Sequence, residues 1–173
     1  LQLANSAQKN WRNTALQERK LLCSKAVEEL VGCKGVIAEE LCWQMGRPIK
    51  YAQGEVASFA ERSNFMISIA DDALAQVSVS DKTGFDRYIK REPVGVVLVV
   101  APWNYPLHTP INAIIPALLA GNTIILKHSS QTPLCAERIV EAFTRAGVPE
   151  GVIQYLHMDH NNTELLIKSK EIS

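Results

Sequence analysis

From Pro93 onward the chain alternates short apolar runs with stretches of helical length, and this rhythm limits the fold more than any other feature. Val94 to Val100 is almost continuously apolar, as in a parallel strand covered on both faces. A helical stretch runs from Pro106 to Ala120, with Gly121-Asn122 in the C-terminal cap position. Pro110 and Pro116 predict a kink or a break within it. Thr123 to Leu126 is a second buried strand. Thr132 then caps a helix with Pro133 at its first turn, and Gly147 ends it. Val152 to Leu156 makes a third strand, and Thr163 to Lys168 starts another helix. Two successive crossovers of this kind, right-handed by rule, build a doubly wound, Rossmann-like parallel sheet. The expected class is therefore α/β. A sheet of three parallel strands leaves open edges and an uncovered crevice, so the sheet is expected to be partial and the chain incomplete.

Before this region the periodicity is helical. Ala4, Ala7, Trp11 and Ala15 mark a first helix. Thr14 with Gln17 suggests a capping box for a second, with a stripe of Leu16, Cys23, Val27 and Leu30 and a stop at Gly32. Ile37, Leu41 and Met45 mark a third, ended by Gly46 and followed by Pro48. A long fourth segment carries Ala52, Val56, Phe59, Ser63, Ile67 and Ala70 on one face. At residue 77 the period changes to two. Val77 to Ser80 and Phe85 to Arg91 flank the turn Asp81-Lys82-Thr83-Gly84, which predicts a polar two-stranded ribbon.

Composition excludes several classes. Eighteen basic residues balance eighteen acidic ones, so no net field draws nucleic acid or an anionic membrane. No apolar stretch is long enough to span a bilayer. Leu1-Gln2-Leu3-Ala4 shows no signal-peptide pattern. Cys23, Cys33, Cys42 and Cys135 lack metal-type spacing and are expected to be reduced structural thiols of an intracellular, cytoplasmic protein. His157 and His160 flank Asp159, but without further ligands this is expected to be a strand-end surface rather than a metal site.

Ligands of an open α/β sheet bind beyond the carboxyl ends of the strands. Two segments fall there. In Ala101-Pro102-Trp103-Asn104-Tyr105-Pro106, two prolines restrict the backbone on either side of a polar Asn. An amide fixed there can stabilise negative charge developing on a substrate oxygen; the competing reading is an Asn that bonds its own turn. In Lys127-His128-Ser129-Ser130-Gln131, a lysine and two hydroxyls before a helix start suit an anion such as a ribose phosphate. The competing reading is a solvated Lys with helix-capping serines. The nine glycines are scattered and form neither GxGxxG nor a P-loop.

Taken together, Arg91-Glu92-Pro93-Val94-Gly95-Val96, Pro102-Trp103-Asn104-Tyr105-Pro106-Leu107 and Pro116-Ala117-Leu118-Leu119-Ala120-Gly121-Asn122 resemble the aldehyde dehydrogenase superfamily. Lys127, Gln131-Thr132-Pro133 and Ala146-Gly147-Val148-Pro149-Glu150-Gly151-Val152 continue the resemblance, with Trp11 and Gly46-Arg47-Pro48 matching more loosely. The resemblance implies an NAD(P)-dependent oxidation of a small aldehyde to a carboxylic acid. It implies that Asn104 holds the oxyanion, that Ala101, Pro102 and Trp103 line the nicotinamide and ribose side of the cofactor cleft, and that Lys127 contacts the adenosine ribose. Ser130 stands where many NAD-preferring members carry Glu, which makes NADP an expected cofactor beside NAD. Lys-x-x-Ser-Gln-Thr-Pro is similar to the succinate-semialdehyde branch, though His128 replaces the usual Pro. On this view residues 1–76 are the helical part of the cofactor-binding domain, 77–92 an oligomerisation arm of a dimer or tetramer, and 93–173 partial dinucleotide-binding βαβ units. The family's Gly-rich motif, general-base Glu and nucleophilic Cys are expected beyond Ser173, so the chain alone is expected to be inactive. Two alternatives stand beside this reading: a non-catalytic dinucleotide-binding or structural protein, and a reductase relative acting on acyl thioesters or acyl phosphates.

Overall fold

In the computed structural model, which describes residues 1–173, the chain opens with five helices. They are α1 (Gln2–Trp11), α2 (Leu16–Gly32), α3 (Lys34–Met45), α4 (Ile49–Ser68) and the short α5 (Ala70–Leu74). The predicted stripes are the buried faces: Cys23, Val27 and Leu30 on α2, Ile37 and Leu41 on α3, and Ala52, Val56, Phe59, Ser63 and Ile67 on α4. Gly46 ends α3 at φ 71°, a left-handed cap that residues with a side chain enter at a cost. The capping box is not formed. Thr14 still belongs to the turn that closes α1, where its N–H donates to the Trp11 carbonyl, and its hydroxyl turns back to Asn10. Gln17 reaches Asp71 instead at 2.6 Å, and Ala15 occupies the N-cap of α2 rather than the stripe of α1.

The ribbon is present but shorter than expected. β1 (Val77–Ser78) pairs antiparallel with β2 (Tyr88–Ile89), Val77 opposite Ile89. A bridge between Lys82 and Phe85 closes the turn. Every strand residue of the ribbon is exposed.

Then come β3 (Val96–Val100), α6 (His108–Leu119), β4 (Thr123–Lys127), α7 (Pro133–Arg145), β5 (Ile153–Tyr155) and α8 (His160–Ile167). The three strands form a parallel sheet in the order β3-β4-β5. α6 is one continuous helix, not the broken one that its prolines suggested. Pro110 lies in the first turn, where a backbone N–H has no helical partner to lose. Pro116 does lose one bond, but Ile111, Ile114, Ile115 and Leu118 around it are fully buried, and that packing outweighs it. Gly121 at φ 91° closes the helix; its N–H donates to Leu118 and that of Asn122 to Ala117, a Schellman pair.

The pleat divides the sheet between two cores. Val96 and Ile125 pack with Ala4 of α1 and Leu166 of α8 on one face. Val99, Ile124 and Leu126 face the other way, into a cluster of 33 buried residues shared with α2, α3, α4, α6 and α7. Helices therefore cover both faces, as the doubly wound expectation requires. The helical half is tied in by Trp11, whose indole N–H donates to the Leu118 carbonyl at 3.0 Å. No helix is long and apolar enough to cross a membrane.

Candidate functional site

The two segments singled out by sequence lie side by side at the carboxyl edge. Val100 is in register with Lys127, and the Ala101 N–H donates to the Lys127 carbonyl at 2.9 Å. A second tie comes from His128. Its Nε2 lies 2.8 Å from the Pro106 carbonyl, which can only accept, so Nε2 carries the proton and Nδ1 faces the Thr132 hydroxyl at 3.1 Å. Burial holds the His128 pKa below its ordinary value. The imidazole thus stands where the resemblance placed Pro, and straps the Asn104 loop to the start of α7.

Asn104 is exposed, and its side-chain amide makes no hydrogen bond within the chain. The alternative of an Asn bonding its own turn is not what the geometry contains; only its backbone carbonyl is engaged, by Arg47 at 2.8 Å. Ala101 is buried, Pro102 half-buried, and Trp103 lies 48% exposed along the same edge.

Lys127 is not a solvated lysine. It is 6% exposed, yet no carboxylate pairs with it and its ammonium makes no hydrogen bond. The single fully buried side-chain nitrogen or oxygen without a partner is Arg19 Nε, so Lys127 Nζ retains an opening to solvent. The stem is buried while the ammonium, unpaired within the chain, is open to an anionic partner from outside it. The serines do not cap α7. Ser129 Oγ accepts from the Gln131 N–H at 3.2 Å, while the exposed Ser130 keeps a free hydroxyl. Thr132 stands at the N-cap but spends its hydroxyl on His128, and the Leu134 N–H is taken instead by Gln44 Oε1 from α3 at 2.9 Å.

Two residues that the sequence reading passed over converge on the Asn104 loop. Glu55, 3% exposed on α4, accepts from the N–H groups of Leu107 and His108 at 3.1 and 3.2 Å, and pairs with Arg47. Both line a cleft of about 690 Å³ beside Tyr105 and Ser58, whose hydroxyl lies 2.7 Å from His108 Nδ1. The signal was an acidic residue set at i+3 from Ala52 and i−4 from Phe59, inside an apolar stripe.

Cys23 and Cys135 are not placed as nucleophiles. All four are free thiols, and burial pushes Cys23 and Cys135 up to about 12. The His157 Nε2–H donates to Glu137 Oε1 at 2.9 Å, and Asp159 caps α8 by accepting from the Asn162 N–H; no group of three or more His, Cys, Asp and Glu side chains comes together as a metal site would need.

A parallel sheet covered on both faces, with a free amide and a counter-charge-less ammonium at its carboxyl edge, places the chain in the doubly wound α/β class. More narrowly, the chain belongs to the aldehyde dehydrogenase family, which it matches over residues 1–173. It is 30% identical to the NAD(P)+ succinate semialdehyde dehydrogenase Sad of Escherichia coli (strain K12), covering 100% of this chain and 37% of that protein. The crystal structure of succinic semialdehyde dehydrogenase from Streptococcus pyogenes in complex with NADP+ superposes with TM-score 0.89 at 29% identity, over 98% of this chain and 37% of the other. That of PnpE in complex with nicotinamide adenine dinucleotide gives 0.92 at 31% identity, over 98% and 35%. The chain thus spans little more than a third of the length of these relatives.

Proposed function

We propose that this chain forms the cofactor-binding part of an NAD(P)-dependent aldehyde dehydrogenase, and that residues 1–76 and 93–173 act in it as one unit. The observation that carries the reading is the presence, at the carboxyl edge of the sheet, of an amide with no internal partner and, on a nearly buried lysine, an ammonium with no counter-charge. A dinucleotide fits that edge. Its ribose oxygens or 2′-phosphate answer Lys127 and the free hydroxyl of Ser130, while Ala101, Pro102 and Trp103 wall the side toward Asn104. The nicotinamide supplies the hydride acceptor.

The chain's own contribution to the chemistry is electrostatic. When a thiolate adds to the aldehyde carbonyl, the oxygen becomes an anion, and the Asn104 N–H₂ is free to donate to it. A donor fixed in advance stabilises the transition state more than the neutral carbonyl, which lowers the barrier. The thiolate itself is assigned to the remainder of the enzyme: Cys23 and Cys135 are held protonated, and neither Cys33 nor Cys42 is hydrogen-bonded to a His or carboxylate base. Residues 1–173 by themselves are therefore expected not to turn over.

In the intact enzyme, Asn104→Ala is expected to lower kcat by roughly 10²–10³-fold, followed as reduced cofactor formed from aldehyde. An unchanged kcat would remove Asn104 from the reaction. Ser130→Glu is expected to shift binding from NADP toward NAD, because a carboxylate repels a 2′-phosphate; titration of both cofactors checks it. The relatives named for succinate semialdehyde support a small semialdehyde as substrate. The exposed ribbon of β1 and β2 is assigned as an arm contacting another copy in a dimer or tetramer. Four free thiols support a reducing, cytoplasmic setting.

A further inference from the structure

We propose that Arg47 and Glu55 are positioning residues that hold the Asn104 loop in register with the reacting carbonyl; this rests on the oxyanion role proposed for Asn104. The unit is built from the helical half of the chain, far from Asn104 in sequence. Glu55 projects from α4, and one oxygen of its carboxylate accepts from both Leu107 and His108, the first amides of α6. These N–H groups have no partner within the helix, and α6 has no side-chain cap of its own. The other oxygen pairs with Arg47. The second nitrogen of the same guanidinium donates to the Asn104 carbonyl at 2.8 Å, and Arg47 Cζ lies 5.4 Å from the Tyr105 ring centroid. Residues 104, 105, 107 and 108 are thereby held by two side chains.

The valences argue for positioning rather than ligand binding. Both oxygens of Glu55 are spent within the protein, and the side chain is 2% exposed. Arg47 must present two nitrogens to two acceptors at a fixed angle, which a planar guanidinium does and an ammonium does not. The Asn104 side chain makes no hydrogen bond to steady it, so the place of its amide follows from its backbone. That backbone is pinned through its own carbonyl by Arg47, and on its flanks by Ala101 to Lys127 and by His128 to Pro106. Misplacing a catalytic donor by about 1 Å costs on the order of 10²-fold in rate.

The test is a double-mutant cycle in the intact enzyme with Arg47→Lys, Arg47→Ala, Glu55→Gln and Asn104→Ala, reading kcat and KM separately. Arg47→Ala is expected to lower kcat roughly ten- to a hundredfold with KM nearly unchanged, and Arg47→Lys to restore little of it. In the Asn104→Ala background the same change is expected to cost under about threefold, because the donor it places is gone. Glu55→Gln is expected to follow Arg47→Ala; should it fail to fold, the partly exposed Arg47 variants decide the matter alone. A rise confined to KM, an unchanged kcat, or a full loss repeated in the Asn104→Ala background would each overturn the positioning role. An Asn104→Ala enzyme as fast as its parent would instead overturn the oxyanion reading, and this inference with it.

Discussion

At the scale of single residues, the sequence disclosed identities but not what each side chain had left to give. Lys127 and Asn104 were legible as candidates because they follow apolar runs, whereas their burial and unspent valence were not. Gly121 shows how a sequence cue gains a cost. Its φ is 91°, and a Cβ there would lie 3.2 Å from both Arg12 Cα and Arg19 Nη1. Arg19 cannot retreat, since it donates to the carbonyls of Trp11, Arg12 and Thr14. Gly121→Ala is thus expected to destabilise by about 2 kcal/mol, checked by denaturant unfolding; a loss under about 0.5 kcal/mol would contradict it. His128 gives a pH dependence. Above its ordinary pKa near 6.5 the ring is neutral whether folded or unfolded, and it contributes nothing. As pH falls below that value the unfolded chain takes the proton first, because burial and the charges of Lys127 and His157 keep the folded pKa lower. Stability is accordingly lost on acidification through this window, at no more than about 1.4 kcal/mol per pH unit for one proton. Comparing unfolding at pH 7 and pH 5 for the protein and for His128→Gln isolates the contribution, and a slope unaltered by the substitution would refute it.

At the scale of elements, helices and strands were readable from periodicity, and stops from Gly46, Gly121 and Gly147, each at positive φ. So was the start of α7, with Thr132 at the N-cap and Pro133 in the first turn; the groups that cap the helices were not. The local rules point to Thr14 and Thr132 as caps, yet neither side chain caps its helix. The reason is that α6 and α7 begin at the carboxyl edge of the sheet, against α3 and α4, so their first amides meet Glu55 and Gln44 from those helices before they meet a local hydroxyl. No pattern of neighbours in sequence encodes a cap supplied from 90 residues away. Gln44→Ala is expected to cost about 1 kcal/mol and to speed hydrogen exchange at the Leu134 amide while leaving α6 unaffected. An unchanged Leu134 protection factor would show that the amide finds another partner. Pro116 is a further case: propensity predicted a kink or a break, but Pro116 lies on the exposed face of α6, and the buried Ile111, Ile114, Ile115 and Leu118 hold the helix on its course.

At the scale of the whole molecule, one cluster unites the helical half with the face of the sheet that α6 and α7 cover, a smaller one joins the other face to α1 and α8, and the ribbon alone stands clear of both. Sequence patterning located the ribbon by its change of period but could not say what its side chains meet. Val77, Phe85, Tyr88 and Ile89 are 42%, 64%, 57% and 57% exposed, and β1 and β2 pair with nothing but each other. A two-stranded hairpin of this length is marginal alone in water, and apolar side chains on an open strand edge favour pairing with another chain. If the ribbon is an arm that contacts a second copy, charge on that edge will separate the copies without disturbing the core. The double variant Tyr88→Lys, Ile89→Lys is expected to lower the mass of the assembled protein in light scattering to that of a smaller species. The tertiary circular dichroism of the core should persist, because neither side chain belongs to either buried cluster. An assembly of unaltered mass would place the contact between copies elsewhere and leave the ribbon a free surface.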